Sequence, residues 1–256
     1  MRTRVRFADT ARGWIFYFVL AVTLVPVSVA IVVTSPFSAK APFAVARAWA
    51  RFMLGVARSV CGLDFEELGM ENFPADGSPV LVMSKHQSAW ECFWMFARLP
   101  AKMSFVYKKE LHFIPVFGQA VACLKMTAIN RSKGASAFDA FMQGGKASLA
   151  RGSWIVLFPE GTRTAPGQTV RYKTGGARFA EATGVPIVPV ALNSGSFWPR
   201  NSIGKVPGRI TVSVGPVIAT QGRSFEAIQD DVVSWIEGEM RRIAPEDYAG
   251  SPEAVS

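Results

Sequence analysis

The chain changes its hydrophobic pattern near residue 62. Beyond this point, short apolar runs alternate with longer amphipathic stretches, a pattern typical of strands interleaved with helices. This alternation predicts an α/β fold with a mixed, mostly parallel sheet flanked by helices. The predicted strands lie at 79–84, 103–107, 124–129, 154–158, 186–192 and 210–214. The predicted helices lie at 88–98, 136–151, 175–183 and 225–243.

The segment before residue 62 is more apolar. Residues 14–33 carry no charge and, as a helix, are long enough to cross a hydrocarbon core about 30 Å thick. A secretory signal is the rival interpretation, although its apolar run is usually shorter. Residues 42–61 predict a second helix with an aromatic-aliphatic face opposite a basic one, which either lies in the membrane interface or packs on the main domain. Pro26 and Pro36 are expected to break the first helix, so that the chain enters the membrane and returns as a helical hairpin.

Composition and charge support contact with a membrane. Half of the 256 residues are apolar and 18% are charged, which excludes a disordered chain. Of the net charge of +9, the first 60 residues contribute +7, so the rest of the chain has no strongly basic surface for nucleic acid. The basic end suits anionic lipid. The three cysteines are an odd number and are widely spaced, which argues against a disulfide framework and favours a reducing compartment. With the two histidines they form no zinc pattern.

The first candidate for chemistry is His86, which follows the predicted strand 79–84. A neutral histidine can accept a proton from an alcohol, and a carboxylate on its other ring nitrogen would orient the ring. Glu91 is close enough in sequence to supply that carboxylate. Ser88 and Glu91 also form a capping-box pattern, in which Glu91 reaches back to the backbone of Ser88. The two roles are geometrically compatible.

Three further segments lie at or after apolar runs. Residues 158–163 read Phe-Pro-Glu-Gly-Thr-Arg, and Arg163 can bind a phosphate through two hydrogen bonds. Arg131, after the run 124–129, is a second candidate phosphate ligand. The run 185–192 contains two prolines, which predicts an irregular or edge strand. The chain has no G-x-S-x-G nucleophile motif, no complete phosphate-binding loop and no G-x-G-x-x-G after a strand.

Together these segments resemble the glycerolipid acyltransferase family, in particular the bacterial 1-acyl-sn-glycerol-3-phosphate (lysophosphatidic acid) acyltransferases. The family's first block is Asn-His-x4-Asp, and this chain has Lys85 before the histidine and Glu91 in place of Asp. The Pro-Glu-Gly-Thr-Arg block is matched in full at 159–163.

Three more segments carry the resemblance less completely. A strand similar to the family's Val-Pro-x-Val-Pro block lies at 185–189. Only residues 129–131 match the Gly-x-Phe-x-x-Arg block, and residues 106–111 are similar to the family's Lys-Lys-Glu-Leu segment. The ordered set of motifs covers roughly residues 80–195.

The resemblance implies direct acyl transfer without a covalent acyl-enzyme. His86, supported by Glu91, would deprotonate the sn-2 hydroxyl of a lysophospholipid, and the oxygen would attack the thioester of acyl-CoA or acyl carrier protein. These thioesters are co-substrates, and no cofactor or metal ion is expected. The residues implied to hold the acceptor are Arg131, Arg163, Lys108 and Lys109 for its phosphate, and Glu160, Gly161 and Thr162 for its pocket.

The expected organisation has three parts. Residues 1–62 form membrane-anchoring helices, residues 63–245 form the acyltransferase domain, and residues 246–256 form a loose tail. Because acyl thioesters are cytosolic, we expect a monotopic protein on the cytosolic face of the cell inner membrane, with membrane lipid as a partner. Two alternatives stay open: another acceptor such as lyso-ornithine lipid, or a membrane-tethered lipid-binding module without catalysis.

Overall fold

The computed structural model describes residues 5–99, 102–130 and 134–249. Within these ranges the chain forms a single seven-stranded sheet with helices on both faces. The strands are β1 (Leu63–Leu68), β2 (Leu81–Ser84), β3 (Met103–Lys108), β4 (Thr127–Ile129), β5 (Trp154–Leu157), β6 (Ile187–Leu192) and β7 (Gly208–Val214). The helices are α1 (Phe7–Thr34), α2 (Ala41–Cys61), α3 (Trp90–Arg98), α4 (Phe117–Cys123), α5 (Gly134–Ala150), α6 (Gly175–Thr183), α7 (Ser194–Phe197), α8 (Phe225–Ile243) and α9 (Pro245–Tyr248).

The strand order is β1-β7-β6-β2-β5-β3-β4. Every pair of neighbours is parallel except β6 and β7, which confirms the predicted mixed and mostly parallel sheet. β1, α4 and the short helices α7 and α9 were not predicted. The strand predicted at 124–129 begins too early, because only Thr127–Ile129 pairs with β3.

The prediction of an edge position for the proline-containing strand is wrong. β6 lies between β2 and β7, and every residue of it is buried. The carbonyl of Pro189 accepts a hydrogen bond from Gly215 N at 2.8 Å. In a strand, the nitrogen and the carbonyl oxygen of one residue point toward the same neighbouring strand. The Pro189 nitrogen, which has no hydrogen to donate, therefore points toward the carboxyl end of β7. Pro189 lies one residue beyond the last pair between β6 and β7, Val190 with Val214. The absence of its N–H therefore removes no hydrogen bond between these two strands.

The two faces of the sheet bury different sets of helices. Alternate strand residues such as Val82 and Val156 pack with α1, α2 and α3 on one face. Their neighbours Met83 and Ile155 pack with α5, α6 and α8 on the other face. This period-two alternation is what a buried sheet between two helical layers requires.

α1 passes through Pro26 without a break, so the expectation that this proline interrupts the helix is wrong. The chain reverses only after Thr34, and α2 then packs along α1 as a helical hairpin. α1 also joins the main core: the Phe16 ring is fully buried and makes edge contacts with Trp198, at 5.0 Å between centroids, and with Phe93.

Two of the three arginines on the basic side of α2 hydrogen-bond to the main domain. Arg47 donates to the carbonyl of Leu99 at 2.8 Å, and Arg51 donates to the carbonyl of Ala97 at 3.3 Å. These carbonyls lie at the carboxyl end of α3, where a positive charge is favourable. Of the two interpretations of this helix, the contacts favour packing on the main domain.

The segment after α8 is ordered where it is described. α9 covers Pro245–Tyr248, and Tyr248 is buried against the core. The expected loose tail is therefore wrong for residues 246–248, and residues 250–256 lie outside the described part of the chain.

Candidate active site

Two motifs meet because their strands are neighbours. β2 and β5 pair in parallel, so the His86 loop and the 158–163 turn leave the sheet at the same edge. The amide of Thr164 donates to the carbonyl of His86 at 2.8 Å and connects the two loops. Carboxyl ends of adjacent parallel strands are a frequent position for active sites.

His86 and Glu91 form a close pair. Nδ1 of His86 lies 2.6 Å from Oε2 of Glu91. The carboxylate is fully buried, whereas 15% of the His86 side chain is exposed. The imidazole is stacked on the ring of Phe158, with centroids 3.9 Å apart and planes 15° apart. The ring is therefore held on one edge and one face, and Nε2 is the nitrogen left to contact a substrate.

The second oxygen of Glu91 fixes the carboxylate to the backbone. Oε1 accepts hydrogen bonds from the amides of Ser88, at 2.6 Å, and Gln87, at 3.1 Å. It also accepts bonds from the hydroxyls of Ser88 and Ser194. The two contacts predicted for Glu91, with the backbone of Ser88 and with His86, are thus both present. The added methylene of Glu leaves the contact with His86 intact.

Glu160 accepts hydrogen bonds that hold the His86 loop. Its Oε2 accepts the backbone amide of His86 at 2.6 Å, and its Oε1 accepts the hydroxyl of Thr164 at 2.8 Å. Glu160 is buried and lines neither of the two cavities at the site, and its role in shaping the acceptor pocket stays a prediction. Burial raises the pKa of Glu160 above its usual value, and the ammonium of Lys85 opposes this shift.

Lys85 lies between two acids. Its fully buried ammonium is 2.9 Å from Glu160 Oε1 and 2.8 Å from Glu237 Oε1 on α8. Glu237 also accepts the hydroxyls of Tyr172, at 2.7 Å, and Thr169, at 2.9 Å. A buried cation is tolerable only when it is paired and hydrogen-bonded, and this network satisfies both conditions.

His86 lines a cavity of about 660 Å³ between the sheet and the N-terminal helices. This size falls within the range of about 300–1,000 Å³ found for small-molecule sites. We call it the apolar cavity, because its long walls are hydrophobic side chains of α1 and α2, among them Leu20, Leu24, Ile31, Ala46, Trp49 and Ala50. Its polar residues include His86, Thr162, Arg163 and Arg200.

The structure separates the remaining predicted residues. Thr162 and Arg163 share the apolar cavity with His86, whereas Gly161 lines a second cavity between α5 and α6. Lys109 is exposed in a short 3-10 helix after β3 and lines neither cavity. Arg131 lies outside the described residues, and so does the side chain of Lys108.

Several site residues were missed by the pattern analysis. Ser194 lies two residues after the end of β6, and its only sequence signal is this position after an apolar strand. Arg200 donates to the carbonyl of Arg163 at 2.8 Å, but it belongs to no motif. Glu237 lies on the helical pattern of α8, where an acid normally indicates a solvated face.

The comparisons with known proteins agree on one family. A family model described as acyltransferase matches residues 64–193. The 1-acyl-sn-glycerol-3-phosphate acyltransferase of Pseudomonas aeruginosa is 37% identical over 213 residues, which cover 82% of this chain and 81% of that protein. The alpha form of the same enzyme from Bos taurus is 29% identical over 173 residues, covering 67% and 60%. The crystal structure of the 1-acyl-sn-glycerophosphate acyltransferase of Thermotoga maritima has the same fold, with a TM-score of 0.78, 21% identity, and coverage of 92% and 95%.

Proposed function

This chain belongs to the acyltransferase family, and on that premise we propose that it acylates the sn-2 hydroxyl of lysophosphatidic acid to give phosphatidic acid. The relative from Pseudomonas aeruginosa is named for this reaction and matches over four-fifths of both chains. The observation that carries the proposal is that His86, bonded to a buried Glu91, shares one cavity with Arg163.

The proposed reaction is a direct transfer. Nε2 of His86 accepts the proton of the sn-2 hydroxyl, and the oxygen attacks the thioester carbonyl carbon. The carbon–sulfur bond then breaks, and the thiolate takes the proton back from the imidazolium. Glu91 holds the ring through Nδ1 and stabilises its positive charge, as the carboxylate of a catalytic triad does. No side chain becomes acylated.

The acceptor phosphate is assigned to the cations of the apolar cavity. Guanidinium groups suit phosphate because they offer paired donors in a plane. Arg163 and Arg200 line the same cavity as His86, which suits a phosphate one carbon away from the reacting glycerol carbon. Arg131, Lys108 and Lys109 remain candidate ligands on the family resemblance alone.

The donor's acyl chain is assigned to the hydrophobic length of the apolar cavity. Its walls come from both N-terminal helices, so the segment that attaches the protein to lipid also encloses the chain. Burying each methylene contributes about 0.8 kcal/mol, which makes such a cavity selective for long chains.

Attachment to the cytosolic face of the inner membrane is part of the proposal. Among the described residues, α1 alone is long and apolar enough to cross a bilayer. Its outer side exposes large apolar groups, including Trp14 at 59% and Phe18 at 69%. A helix that exposes one apolar side and packs the other on the protein is suited to lying in the interface.

The membrane assignment is tested by co-flotation with vesicles containing anionic lipid. Replacing Phe18 and Val22 together with glutamate is expected to reduce the bound fraction strongly. Val217→Glu, which alters an exposed valine outside α1, serves as the control and is expected to bind like the parent. Equal binding of all three proteins would contradict attachment through α1.

The acceptor is tested by supplying the purified full-length protein with lysophosphatidic acid, lyso-ornithine lipid and lysophosphatidylcholine in parallel. Each is offered with acyl-CoA and with acyl carrier protein, and the products are identified by mass and by acyl position. The proposal predicts phosphatidic acid acylated at sn-2. Acylation of lyso-ornithine lipid alone, or binding without turnover, would replace it by one of the alternatives.

A further inference from the structure

A second cavity, of about 760 Å³, lies on the other side of the 158–163 turn. We call it the basic cavity. α5, α6 and the segment before α6 contribute three cations to its lining, Arg171, Lys173 and Arg178, and one acid, Asp139. In the described part of the chain, no hydrogen bond or ion pair engages the side chains of Arg171 and Lys173, and both residues are exposed. Their charges are therefore available to an anionic ligand.

Lys173 lies directly against the turn. Its backbone amide donates to the carbonyl of Pro159 at 2.8 Å. A Cβ atom placed on Gly161 would lie 3.0 Å from Nζ of Lys173, so the ammonium occupies the space that a side chain at Gly161 would take. Gly161 has φ = +69°, a conformation that glycine adopts without strain.

The two cavities are adjacent but face different surroundings. Val106 and Phe158 line both of them, and Phe158 is the ring on which His86 stacks. The apolar cavity lies on the face covered by α1 and α2, whereas the basic cavity is lined by α5 and α6, which pack on the opposite face. A ligand in the basic cavity therefore lies near the reacting centre and away from the lipid-facing helix.

The position of the phosphate in each substrate decides which substrate fits. The phosphate of lysophosphatidic acid is held next to the hydroxyl that reacts, so it belongs in the cavity that contains His86. In acyl-CoA the phosphates are separated from the thioester by the pantetheine arm, and there are several of them. The basic cavity has several cations, lacks His86 and adjoins the cavity that holds it.

From this arrangement we propose that the basic cavity binds the phosphate groups of acyl-CoA, with Lys173 and Arg171 as the principal ligands. The inference rests on the proposed acyl transfer and adds the identity of the donor. It assigns the anionic nucleotide end to the water-facing side of the molecule and the acyl chain to the membrane-facing side.

The first test measures binding without turnover. The dissociation constant of free CoA is determined by calorimetry for the parent, Lys173→Glu and the matched control Lys146→Glu, which reverses an exposed lysine on α5 outside both cavities. Charge-assisted hydrogen bonds contribute about 1.5–3 kcal/mol, so Lys173→Glu is expected to weaken binding by about 10- to 100-fold. Lys146→Glu is expected to leave it unchanged. The proposal would be overturned if both variants weakened CoA binding equally, or if neither variant weakened it.

The second test compares donors. For Lys173→Met, the KM for acyl-CoA is expected to rise, while the KM values for acyl-pantetheine, which has no phosphate, and for lysophosphatidic acid stay constant. A rise only in the KM for lysophosphatidic acid would place the acceptor phosphate in the basic cavity. A rise only in the KM for acyl-acyl carrier protein would assign the basic cavity to a protein donor. Either result overturns the proposal. If the parent transfers no acyl group at all, the proposed function fails, whereas the CoA binding measurement still tests the cavity.

Discussion

The ammonium of Lys85 lies 2.9 Å from Oε1 of Glu160, and both side chains are fully buried. Glu160 in turn accepts the backbone amide of His86. Lys85, which stands in place of the family's asparagine, is therefore connected to the His86 loop through Glu160 of the Pro-Glu-Gly-Thr-Arg motif. Glu237 completes the arrangement from α8, so the loop is held by an element that contributes nothing to either cavity.

Lys85→Met is expected to destabilise the protein strongly. The substitution leaves two buried carboxylates without their cation, and removing one partner of a buried ion pair costs about 3–5 kcal/mol. Unfolding monitored by intrinsic fluorescence in detergent measures the loss. Thr169→Val, which removes one hydroxyl from Glu237, is the control and is expected to cost about 1 kcal/mol. Parental stability of Lys85→Met would mean that the network does not hold the loop.

Glu91→Gln is expected to lower kcat by about a hundredfold or more. If the amide nitrogen of glutamine faces the His86 ring, it donates to Nδ1 and favours the tautomer that is protonated at Nε2, which cannot accept a proton from the substrate. If it faces the backbone amide of Ser88, that amide loses its acceptor. Ser194→Ala removes one donor from Glu91 and is expected to have a much smaller effect. A similar loss in the two variants would indicate that Glu91 acts only as a structural cap.

Ala46→Leu is expected to shorten the longest acyl chain that the protein accepts. Ala46 is buried and lines the apolar cavity on α2, so a larger side chain there fills space available to the substrate. Ala44→Leu, at an exposed position of the same helix, is the control. Relative rates with a series of acyl-CoA chain lengths provide the measurement. An unchanged chain preference in Ala46→Leu would place the acyl chain elsewhere.

The contribution of Lys205 to the stability of the protein is expected to rise with pH above about 8. Its ammonium is fully buried, and burial lowers its pKa from 10.5 to about 8. Between these values the unfolded chain binds more protons than the folded one, so raising the pH favours folding, and the contribution is lost as the pH falls through about 8.

Lys205→Met provides the comparison for this pH dependence. Relative to that variant, the free energy of unfolding of the parent is expected to increase by about 2–3 kcal/mol between pH 7 and pH 10, since one pKa unit corresponds to about 1.36 kcal/mol. Parallel stability curves for the two proteins would show that Lys205 does not titrate in this range.

The sequence predicted elements whose patterns are local. The apolar runs of β2 and β5 and the amphipathic pattern of α8 are complete within one segment, and each element lies where it was expected. The contact between His86 and Glu91 was predictable for the same reason, because both residues lie within one turn of the start of α3.

The features that were predicted wrongly or not at all depend on residues that are distant in the sequence. Pro189 is tolerated in the centre of the sheet only because β7 ends beside it, and Pro26 is tolerated within a helix that packs on the core. Ser194 and Glu237 reach the site from 103 and 152 positions away from their partners. No local pattern indicates which of many serines and glutamates will do so.

The most direct test of the account is the turnover number of His86→Ala with lysophosphatidic acid and acyl-CoA. His112→Ala, which removes the chain's other histidine from an exposed position, is the matched control. Loss of a general base predicts a kcat lower by about a hundred- to ten-thousandfold for His86→Ala, at unchanged thermal stability, and a parental kcat for the control. A kcat for His86→Ala within about twofold of the parental value would contradict the central claim that His86 activates the acceptor hydroxyl.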